Sequence, residues 1–201
     1  MTLGNEAHTS APALHGKLVV FAAPSGTGKS TIAKRVLETV PNLSFSVSAT
    51  TRPKRSGEEN GREYFFLSKA EFEQKIQHGD FIEYELFFDN YYGTLKGATD
   101  EILRRGKHLL LDLDVKGALN VKRLYDGRAL LLFIKPPSFE ILRERLMNRK
   151  SETAEAIQKR LERASYELSF AEQFDKVVVN DDLERACSEV ISIINQFINA
   201  A

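Results

Sequence analysis

Short apolar runs alternate with helical patterns along most of the chain. The apolar runs, which predict strands, cover residues 17–22, 107–114, 128–134 and 176–180. Between them, apolar residues recur at spacings of three and four, which is typical of helices that bury one face. Because continuous apolar strands are typical of sheets covered by helices on both faces, the pattern predicts an α/β fold with a parallel sheet.

Capping residues mark the ends of several predicted helices. Ser68, with Glu71 three positions later, forms a capping box, and Gly79 supplies the stop after that helix. Pro41 ends the first helix, and Ser138 caps a later one. The helical patterns cover 30–40, 70–77, 98–105, a segment through Val121 and Leu124, a segment from Ser138 through Leu146, 152–173 and 183–198.

The segment 43–94 has a different pattern, rich in strand signals and with a single helix. Alternating apolar residues predict one strand over 43–50, and further strands are predicted at 63–67 and 81–88. Residues 89–94, DNYYGT, are typical of a turn. The pattern therefore predicts a small strand-rich insertion within the α/β core.

Composition and charge exclude several classes of protein. The 201 residues suffice for one domain with a small insertion, and 42% hydrophobic with 28% charged residues is typical of a globular protein. Lys+Arg and Asp+Glu both number 28, so bulk charge does not favour binding to nucleic acid. The single cysteine, Cys187, excludes an intrachain disulfide and a cysteine metal cluster.

The chain carries no sign of membrane insertion or export. No apolar run approaches the ~20 residues that a membrane-spanning helix needs. Residues 1–16 lack the basic and apolar regions of a secretory signal, and their small and polar residues predict a flexible tail. We therefore expect a cytoplasmic protein without a membrane partner.

The stretch FAAPSGTGKST (21–31) resembles a phosphate-binding loop between a strand and a helix. It matches the pattern G-x-x-x-x-G-K-[ST] except at its first position, where Ala23 replaces glycine. We expect Lys29 to reach the β- and γ-phosphates of a nucleotide, and Ser30 to ligate Mg²⁺. The predicted ATP-binding residues are Ala23, Pro24, Ser25, Gly26, Thr27, Gly28, Lys29, Ser30 and Thr31.

Ala23 is compatible with such a loop only if its φ angle is negative. Alanine costs little in extended backbone and much more at positive φ, which favours glycine. The alternative is a turn rich in Gly and Ser that carries a lysine by coincidence. The strand before the loop and the helix after it favour the phosphate-binding interpretation.

Acidic residues end the apolar run 107–114. Asp112 and Asp114 are two positions apart, so on a strand they would share a face. Asp112 is placed to reach a water molecule bound to Mg²⁺. The alternative is that both are ordinary acidic turn residues after a strand.

The loop after residue 50 carries two arginines that could bind a phosphate. Arg52 and Arg55 are three apart, and guanidinium groups together with the hydroxyls of Tyr64 and Tyr92 suit the oxygens of a dianionic phosphate. The alternative is a solvated charged loop.

Several separated motifs together resemble those of guanylate kinases. They occur in the same order, from about Lys17 to near the C-terminus, and comprise SATTRPKRSGEENGREY (48–64), FIEY (81–84), NYYGT (90–94), LDLDVKG (111–117) and NDD (180–182). The resemblance implies an enzyme that transfers the γ-phosphoryl group of MgATP to GMP or dGMP, giving ADP and GDP. Its implied cofactor is Mg²⁺, its partners are ATP and GMP without nucleic acid, and its assembly is a monomer or a homodimer.

The resemblance also implies a division of the chain. Residues 17–42, 95–145 and 166–201 form a nucleotide-binding core of the phosphate-loop type, with helices on both faces of its sheet. The segment 43–94 is the GMP-binding insertion, and 146–165 is a helical lid.

The GMP-binding residues follow from the matched motifs. Arg52, Arg55, Tyr64 and Tyr92 match residues that bind the GMP phosphate, and Glu58 lies in the same motif. Guanine contacts are implied for Ser48, Glu83 and Thr94, and Asp114 matches a second acid near this base. Because guanine offers N1–H and N2–H₂ donors that adenine lacks, a carboxylate at Glu83 would select against AMP.

The remaining matches concern the ATP side of the reaction. Arg145, Arg149 and Arg160 match lid arginines that neutralise the transferring phosphoryl group, although Arg145 could instead pair with nearby Glu144 and Glu152. The family's usual Gly-Arg-Gly is replaced by NRK at 148–150, which predicts a stiffer lid hinge. Asn180 matches a residue near the ATP base, or is simply a cap at the end of a strand, and Asp112 matches an acid near Mg²⁺.

Two alternatives to a guanylate kinase stay open at this stage. One is a non-catalytic module of the same fold that binds a phosphopeptide; retention of Lys29 and Ser30 argues against it. The other is a related kinase for a different phosphomonoester, which should lack the guanine contacts Ser48, Glu83 and Thr94.

Overall fold

The computed structural model describes residues 14–87, 89–148 and 154–200, which form two sheets and seven α-helices. The strands are β1 Leu18–Ala22, β2 Leu43–Phe45, β3 Ala49–Thr50, β4 Phe65–Phe66, β5 Phe81–Phe87, β6 Asn90–Leu95, β7 His108–Asp112, β8 Ala129–Lys135 and β9 Lys176–Val179. The helices are α1 Lys29–Thr39, α2 Lys69–Gln77, α3 Lys96–Arg104, α4 Val115–Tyr125, α5 Phe139–Met147, α6 Ala154–Leu168 and α7 Leu183–Asn199.

The larger sheet is parallel throughout, with strand order β2-β7-β1-β8-β9. Its central strand β1 is fully buried because side chains from its two faces pack against different helices. Val19 and Phe21 pack with α1 and α7, whereas Leu18 and Val20 pack with α3 and α4. This arrangement confirms the predicted α/β fold with a sheet covered on both faces.

The smaller sheet is formed by the segment predicted as an insertion, and its order is β4-β3-β6-β5. The prediction of one strand over 43–50 is wrong, because β2 pairs with β7 in the large sheet and β3 pairs with β4 and β6 in the small one. The chain crosses between the sheets at 46–48. A two-residue hydrophobic period persists through such a crossing, since it is common to strands of any sheet.

The prediction of a turn over 89–94 is also wrong. The turn is limited to the neighbourhood of Asp89, which has φ of 61°, and β6 begins at Asn90. Strand β6 is central in the small sheet and pairs antiparallel with both β3 and β5. The tyrosines of this segment favour strands, and their neighbours Asn and Gly obscured that signal.

The helix boundaries agree with the capping signals. The Ser68 hydroxyl accepts a hydrogen bond from the Glu71 amide, and the Glu71 carboxylate accepts one from the Ser68 amide, which confirms the capping box of α2. Helix α6 ends at Leu168, earlier than predicted, and a short 3₁₀ turn covers Ala171–Gln173. In the described part of the chain, no helix is long and apolar enough to cross a membrane.

Helices α5 and α6 pack against each other through a small apolar cluster of their own. Leu142 and Leu146 of α5 meet Leu161 and Ala164 of α6, with Ile157 at the edge. This cluster is separate from the two that cover the large sheet. The predicted lid, 146–165, therefore includes the end of α5 and most of α6, with residues 149–153 outside the described part.

Candidate active site

The glycine-rich loop joins the central strand β1 to α1 and borders a cavity of about 760 Å³. Gly26 and Gly28 adopt left-handed backbone with φ of 94° and 88°, so both positions require glycine. Among the described residues, positive φ outside glycine occurs at Asn42, Asp89 and Asp126, and Ala23 is not one of them. The prediction that Ala23 has a negative φ is confirmed.

Helix α1 begins at Lys29, immediately after Gly28. The amide N–H groups of a first helical turn have no acceptor within the helix, and the helix dipole places partial positive charge there. The loop residues from Ala23 to Thr31 all border the cavity. The geometry of the loop is therefore that of an anion site.

Lys29, which borders this cavity, contacts Asp112 of β7. Strand β7 ends at Asp112, which lies beside Phe21 of β1, and its Oδ1 accepts a hydrogen bond from Lys29 Nζ. Ser30, whose side chain carries a hydroxyl, follows Lys29 in α1. Hydroxyl and carboxylate oxygens are the ligands that Mg²⁺ prefers, so Ser30 and Asp112 fit a magnesium ion held directly and through water.

Asp114 occupies a different place from the one that a continuous strand implied. The strand ends at Asp112, and Asp114 is the N-cap of α4, where its Oδ1 accepts from the Gly117 amide at 2.7 Å. The expectation that the two acids share the face of a strand is wrong. Asp112 faces the glycine-rich loop, and Asp114 lies near Glu83.

Arg52 is held by Glu58 and by aromatic rings. Its Nη2 lies 2.8 Å from Glu58 Oε1, and its guanidinium lies 5.5 Å from the centre of the Tyr64 ring. Tyr64 in turn packs edge-on against Tyr92 at 6.1 Å. The structure therefore brings together Arg52, Glu58, Tyr64 and Tyr92, as the sequence motifs predicted.

Glu58 uses both carboxylate oxygens within the protein. Oε1 binds Arg52, and Oε2 accepts from the Arg55 amide at 2.8 Å. The hydrogen bond from Arg52 lowers the pKa of the Glu58 carboxyl, so the side chain is ionised at neutral pH. The Arg55 side chain itself is exposed. Glu58 thus shapes the loop that presents the two arginines.

A second cavity, of about 230 Å³, lies between the two sheets. The small sheet contributes Thr94, with Ser48 and Tyr64 from flanking loops, and the large sheet contributes the end of β7 at Asp112. Thr94 is buried and its hydroxyl donates to Glu83 Oε1 at 2.6 Å. The two side chains meet because Glu83 and Thr94 lie opposite each other on the antiparallel strands β5 and β6.

Glu83 is a partly buried carboxylate in this region. Burial raises the pKa of Glu83 above its ordinary value, the hydrogen bond from Thr94 opposes that rise, and the charge of Asp114 adds to it. A carboxylate in such a place favours a ligand that offers hydrogen-bond donors. Ser48 and Thr94 border the small cavity and Glu83 is bonded to Thr94, so the structure brings these three predicted residues together.

Two of the three predicted lid arginines lie near the glycine-rich loop. Arg160 of α6 donates to Ser25 Oγ at 2.8 Å, and Arg145 of α5 donates to the Asn180 carbonyl at 3.1 Å. Arg149 lies outside the described residues. Asn180 is buried, and its side-chain amide donates to the Thr27 carbonyl at 2.7 Å.

The structure adds residues that the motif search missed. Ala156, Lys159, Arg163 and Glu167 border the large cavity together with Arg160. Burial raises the pKa of Glu167, and the hydrogen bond from Arg163 at 3.0 Å opposes that rise. The spacings between these residues are three or four, so the helical period around Arg160 contained the signal.

Comparisons with known proteins agree with this geometry. The family model of guanylate kinase matches residues 15–197. The chain is 60% identical to the guanylate kinase of Chlorobium chlorochromatii over 91% of its length and 96% of that protein's. It is 49% identical to the guanylate kinase of Bacteroides thetaiotaomicron, over 92% of this chain and 91% of the relative.

A solved structure is also similar. The crystal structure of guanylate kinase from Anaplasma phagocytophilum superposes with a TM-score of 0.70 and 30% sequence identity. The match covers 94% of this chain and 89% of that one. The similarity therefore extends over the large sheet, the small sheet and the helices alike.

Proposed function

The chain belongs to the guanylate kinase family, and we propose that its two cavities bind the two substrates of that reaction. It is a phosphotransferase, which moves the γ-phosphoryl group of ATP to GMP and yields ADP and GDP. The observation that carries the assignment is that Asp112 borders the small cavity and pairs with Lys29 of the glycine-rich loop. The donor and acceptor sites therefore adjoin.

ATP binds in the cavity of about 760 Å³ on this assignment. The amides of the loop and the first turn of α1 hold the phosphates, and Lys29 exchanges its contact with Asp112 for the β- and γ-phosphate oxygens. Ser30 and Asp112 would hold Mg²⁺, which would neutralise charge on the phosphate oxygens. Asp112 thus keeps a cationic partner.

GMP binds between the sheets. Arg52 and Arg55, with Tyr64 and Tyr92, hold its phosphate, because guanidinium groups and phenolic hydroxyls supply donors for a dianion. Glu58 supports this cluster by orienting Arg52 instead of touching the nucleotide. GMP is thereby held with its phosphate toward the loop.

Guanine recognition rests on Glu83, with Ser48, Thr94 and Asp114 around it. A carboxylate accepts from both N1–H and N2–H₂ of guanine, whereas adenine would leave the charge of Glu83 without donors. Thr94 fixes the carboxylate by donating to one oxygen. dGMP has the same base and should be accepted too.

The transfer itself needs no covalent intermediate with the protein. The GMP phosphate attacks in line, and the protein contributes position and positive charge around the transferring group. That charge comes from Lys29, from Arg145 of α5 and from Arg160 of α6. Arg149, which lies outside the described residues, is proposed to contribute as well. The bond to the leaving ADP oxygen breaks as the bond to the GMP oxygen forms.

Movement of the two smaller parts accompanies binding in this proposal. We divide the chain into a core (17–45, 95–145 and 166–201), an insertion (46–94) and a lid (146–165). The insertion starts after Phe45 and not at the predicted residue 43, because β2 pairs with β7 in the large sheet. Closing the insertion and the lid over the core would exclude water and so limit hydrolysis of ATP.

The remaining properties follow from charge and from the make-up of the site. We propose small nucleotides as partners, without nucleic acid or membrane, and a cytoplasmic location; the net charge of zero gives no bulk attraction to nucleic acid or to an anionic membrane surface. The proposed assembly is a monomer or a homodimer.

The deciding experiment is a panel of acceptors with MgATP as donor. In a coupled assay that measures ADP, GMP and dGMP should be turned over at least a hundredfold more efficiently than AMP, CMP or UMP. Equal turnover of AMP would contradict the role of Glu83. Turnover of a different phosphomonoester alone, or no turnover with retained phosphopeptide binding, would favour the two alternative functions.

A further inference from the structure

Asn180 lies directly after β9, between the glycine-rich loop and α5. We infer that Asn180 is a positioning residue for the phosphate chain of ATP, acting by holding the loop and Arg145, and is not a contact to the adenine base. This inference rests on the proposed kinase function. It assigns Asn180 a role that the sequence motifs left open between a base contact and a strand-end cap.

The first observation is the hydrogen bond between Asn180 and Thr27. The side-chain amide donates to the Thr27 carbonyl at 2.7 Å, although the two residues are 153 positions apart. Thr27 is fully buried, so water does not reach this carbonyl. A buried carbonyl without a partner is costly, and Asn180 therefore supplies what the loop conformation requires.

The second observation is the fit between Asn180 and Gly28. A Cβ atom at position 28 would lie 2.5 Å from Asn180 Nδ2, which is too close for any side chain. Gly28 also has φ of 88°, so the residue is glycine for two independent reasons. Its missing side chain leaves room for the Asn180 amide against the loop, one residue before Lys29.

The third observation is that the backbone of Asn180 is fixed on both sides. Its amide donates to the Lys135 carbonyl of β8 at 2.8 Å, and its carbonyl accepts from Arg145 Nη2 at 3.1 Å. Arg145 therefore reaches the loop region through the same residue that holds Thr27. Movement of the loop and placement of this arginine are coupled through Asn180.

Helix α5 contacts the loop on a second side as well. A Cβ atom at Gly26 would meet Leu146 at 3.1 Å and Leu142 at 3.3 Å. Leu142 and Leu146 share a face of α5 because they are four positions apart, and Arg145 is a neighbour of Leu142 on the helix surface because it follows by three. The loop is thus enclosed between this face of α5 and Asn180.

The exposure of Asn180 argues against a base contact. Only 5% of the residue is accessible, and one donor of its amide is already committed to Thr27. Little of its surface is left for a purine. A change at Asn180 should therefore affect any ligand that binds through phosphates, whether or not that ligand carries a base.

The experiment compares a ligand that has a base with one that has none. Asn180→Ala and the nearly isosteric Asn180→Asp should each lower kcat with ATP by about tenfold or more, since small misplacements of reacting groups have effects of that size. Inorganic triphosphate with Mg²⁺, used as a competitive inhibitor and in calorimetry, should bind more weakly by the same factor as ATP. GMP binding measured by calorimetry should be unchanged.

Asp182→Ala is the matched control. Asp182 lies two positions after Asn180 and caps α7 by accepting a hydrogen bond from the Arg185 amide at 2.9 Å. Its replacement should therefore lower the stability of the fold without changing a contact to the glycine-rich loop. This variant should melt at a lower temperature and keep the wild-type kcat. Circular dichroism identifies any Asn180 variant that fails to fold, and the other variant then supplies the comparison.

Two results would overturn the inference. One is a weaker affinity for ATP with unchanged kcat and unchanged triphosphate binding, which is the behaviour of a base contact. The other is wild-type behaviour of both Asn180 variants. Binding of triphosphate does not require GMP. It can therefore test the role of Asn180 even if the wild-type protein does not phosphorylate GMP, so failure of this inference and failure of the proposed function are distinguishable.

Discussion

At the scale of single residues, the burial of Glu83 affects both the cost of its charge and its proposed selectivity for a base. Burial raises the pKa of its carboxyl, and Thr94 holds one oxygen by a hydrogen bond. The ionised form is therefore costly in the free protein and becomes favourable when a ligand brings donors to it. In the proposed guanine site, the same burial that disfavours the ionised form of Glu83 would let this residue discriminate between bases.

Glu83→Gln should reduce kcat/KM for GMP by about ten- to a hundredfold and should narrow the preference over AMP. The amide offers one acceptor and one donor, so it cannot accept from both guanine donors. Steady-state kinetics with GMP and AMP measure the change. Glu85→Gln, an exposed change two residues along β5, is the control and should leave the preference intact; an equal effect in both variants would contradict the assignment.

The pH dependence of GMP use provides a second test of Glu83. Guanine donors stabilise the carboxylate, whereas the raised pKa means that the free protein takes up a proton at a higher pH than an ordinary glutamate does. kcat/KM for GMP should therefore fall as the pH is lowered through this raised pKa. The acid side of the profile should flatten in Glu83→Gln, and an identical profile in the variant would assign the titration to another group.

Glu58 is a residue that acts through another side chain. Glu58→Gln should raise KM for GMP about tenfold, because Arg52 loses its ion pair and the Arg55 amide keeps only a neutral acceptor. kcat at saturating GMP should change less, since the bound phosphate itself orients the arginines. Glu59→Gln, an exposed neighbour paired with Arg62, should have the wild-type KM. A fall in kcat without a change in KM would contradict the positioning role.

At the scale of elements, the β5–β6 pair positions the residues of the proposed guanine site. Glu83 and Thr94 meet because the strands are in antiparallel register, with Gly93 opposite Tyr84. A Cβ atom at Gly93 would lie 2.8 Å from the Glu83 carbonyl and 2.9 Å from Tyr84 Cβ. The close approach of the two strands, and hence the placement of Glu83, depends on this glycine.

Gly93→Ala should therefore displace β5 and weaken GMP binding about tenfold or more, with little effect on the binding of ATP alone. Calorimetric titration with each nucleotide measures the two affinities separately. Gly97→Ala is the matched control, since a Cβ atom there meets nothing within 4 Å and alanine favours the helix. Equal affinities in the two variants would show that the strand spacing does not position Glu83.

At the scale of the whole molecule, the apolar side chains are divided unequally. Two large clusters cover the faces of the parallel sheet, whereas α6 is attached to α5 mainly through one small cluster. Regions with fewer buried contacts open at lower free energy. This distribution of apolar contacts predicts that the sheet is the more stable part and that α6, part of the proposed lid, opens more readily.

Hydrogen exchange should show this division. Without nucleotides, amides of α6 should exchange faster than those of the fully buried strand β1. Addition of GMP with a non-hydrolysable ATP analogue should slow the exchange of α6, because Arg160 and its neighbours gain phosphate partners. Mass spectrometry of the exchanged peptides measures both. Exchange of α6 at the rate of β1 in the free protein would contradict a lid that moves.

Much of the fold could be predicted from the sequence because its signals are local. The apolar runs around β1, β7, β8 and β9 and the capping box at Ser68 depend on neighbours within a few positions. The errors arose where local signals are shared by different structures. The alternation over 43–50 continues across two sheets, and the NYYGT segment contains both turn and strand formers.

The sequence by itself determined the α/β class, the family and the chemical inventory of the site, including the loop lysine, the two arginines and Glu83. Only the tertiary structure decided how these residues act on one another. It places Asp114 at the start of α4 and not beside Asp112 on a strand. It also pairs Glu58 with Arg52 and Asn180 with the Thr27 carbonyl. The contact of Asn180 with Thr27 joins positions 153 residues apart, and it depends on strand register and helix packing that no local pattern contains. The places of Asp112, Asp114 and Glu58 depend on where β7 ends and on how the loop after β3 folds, which the tertiary structure also decides.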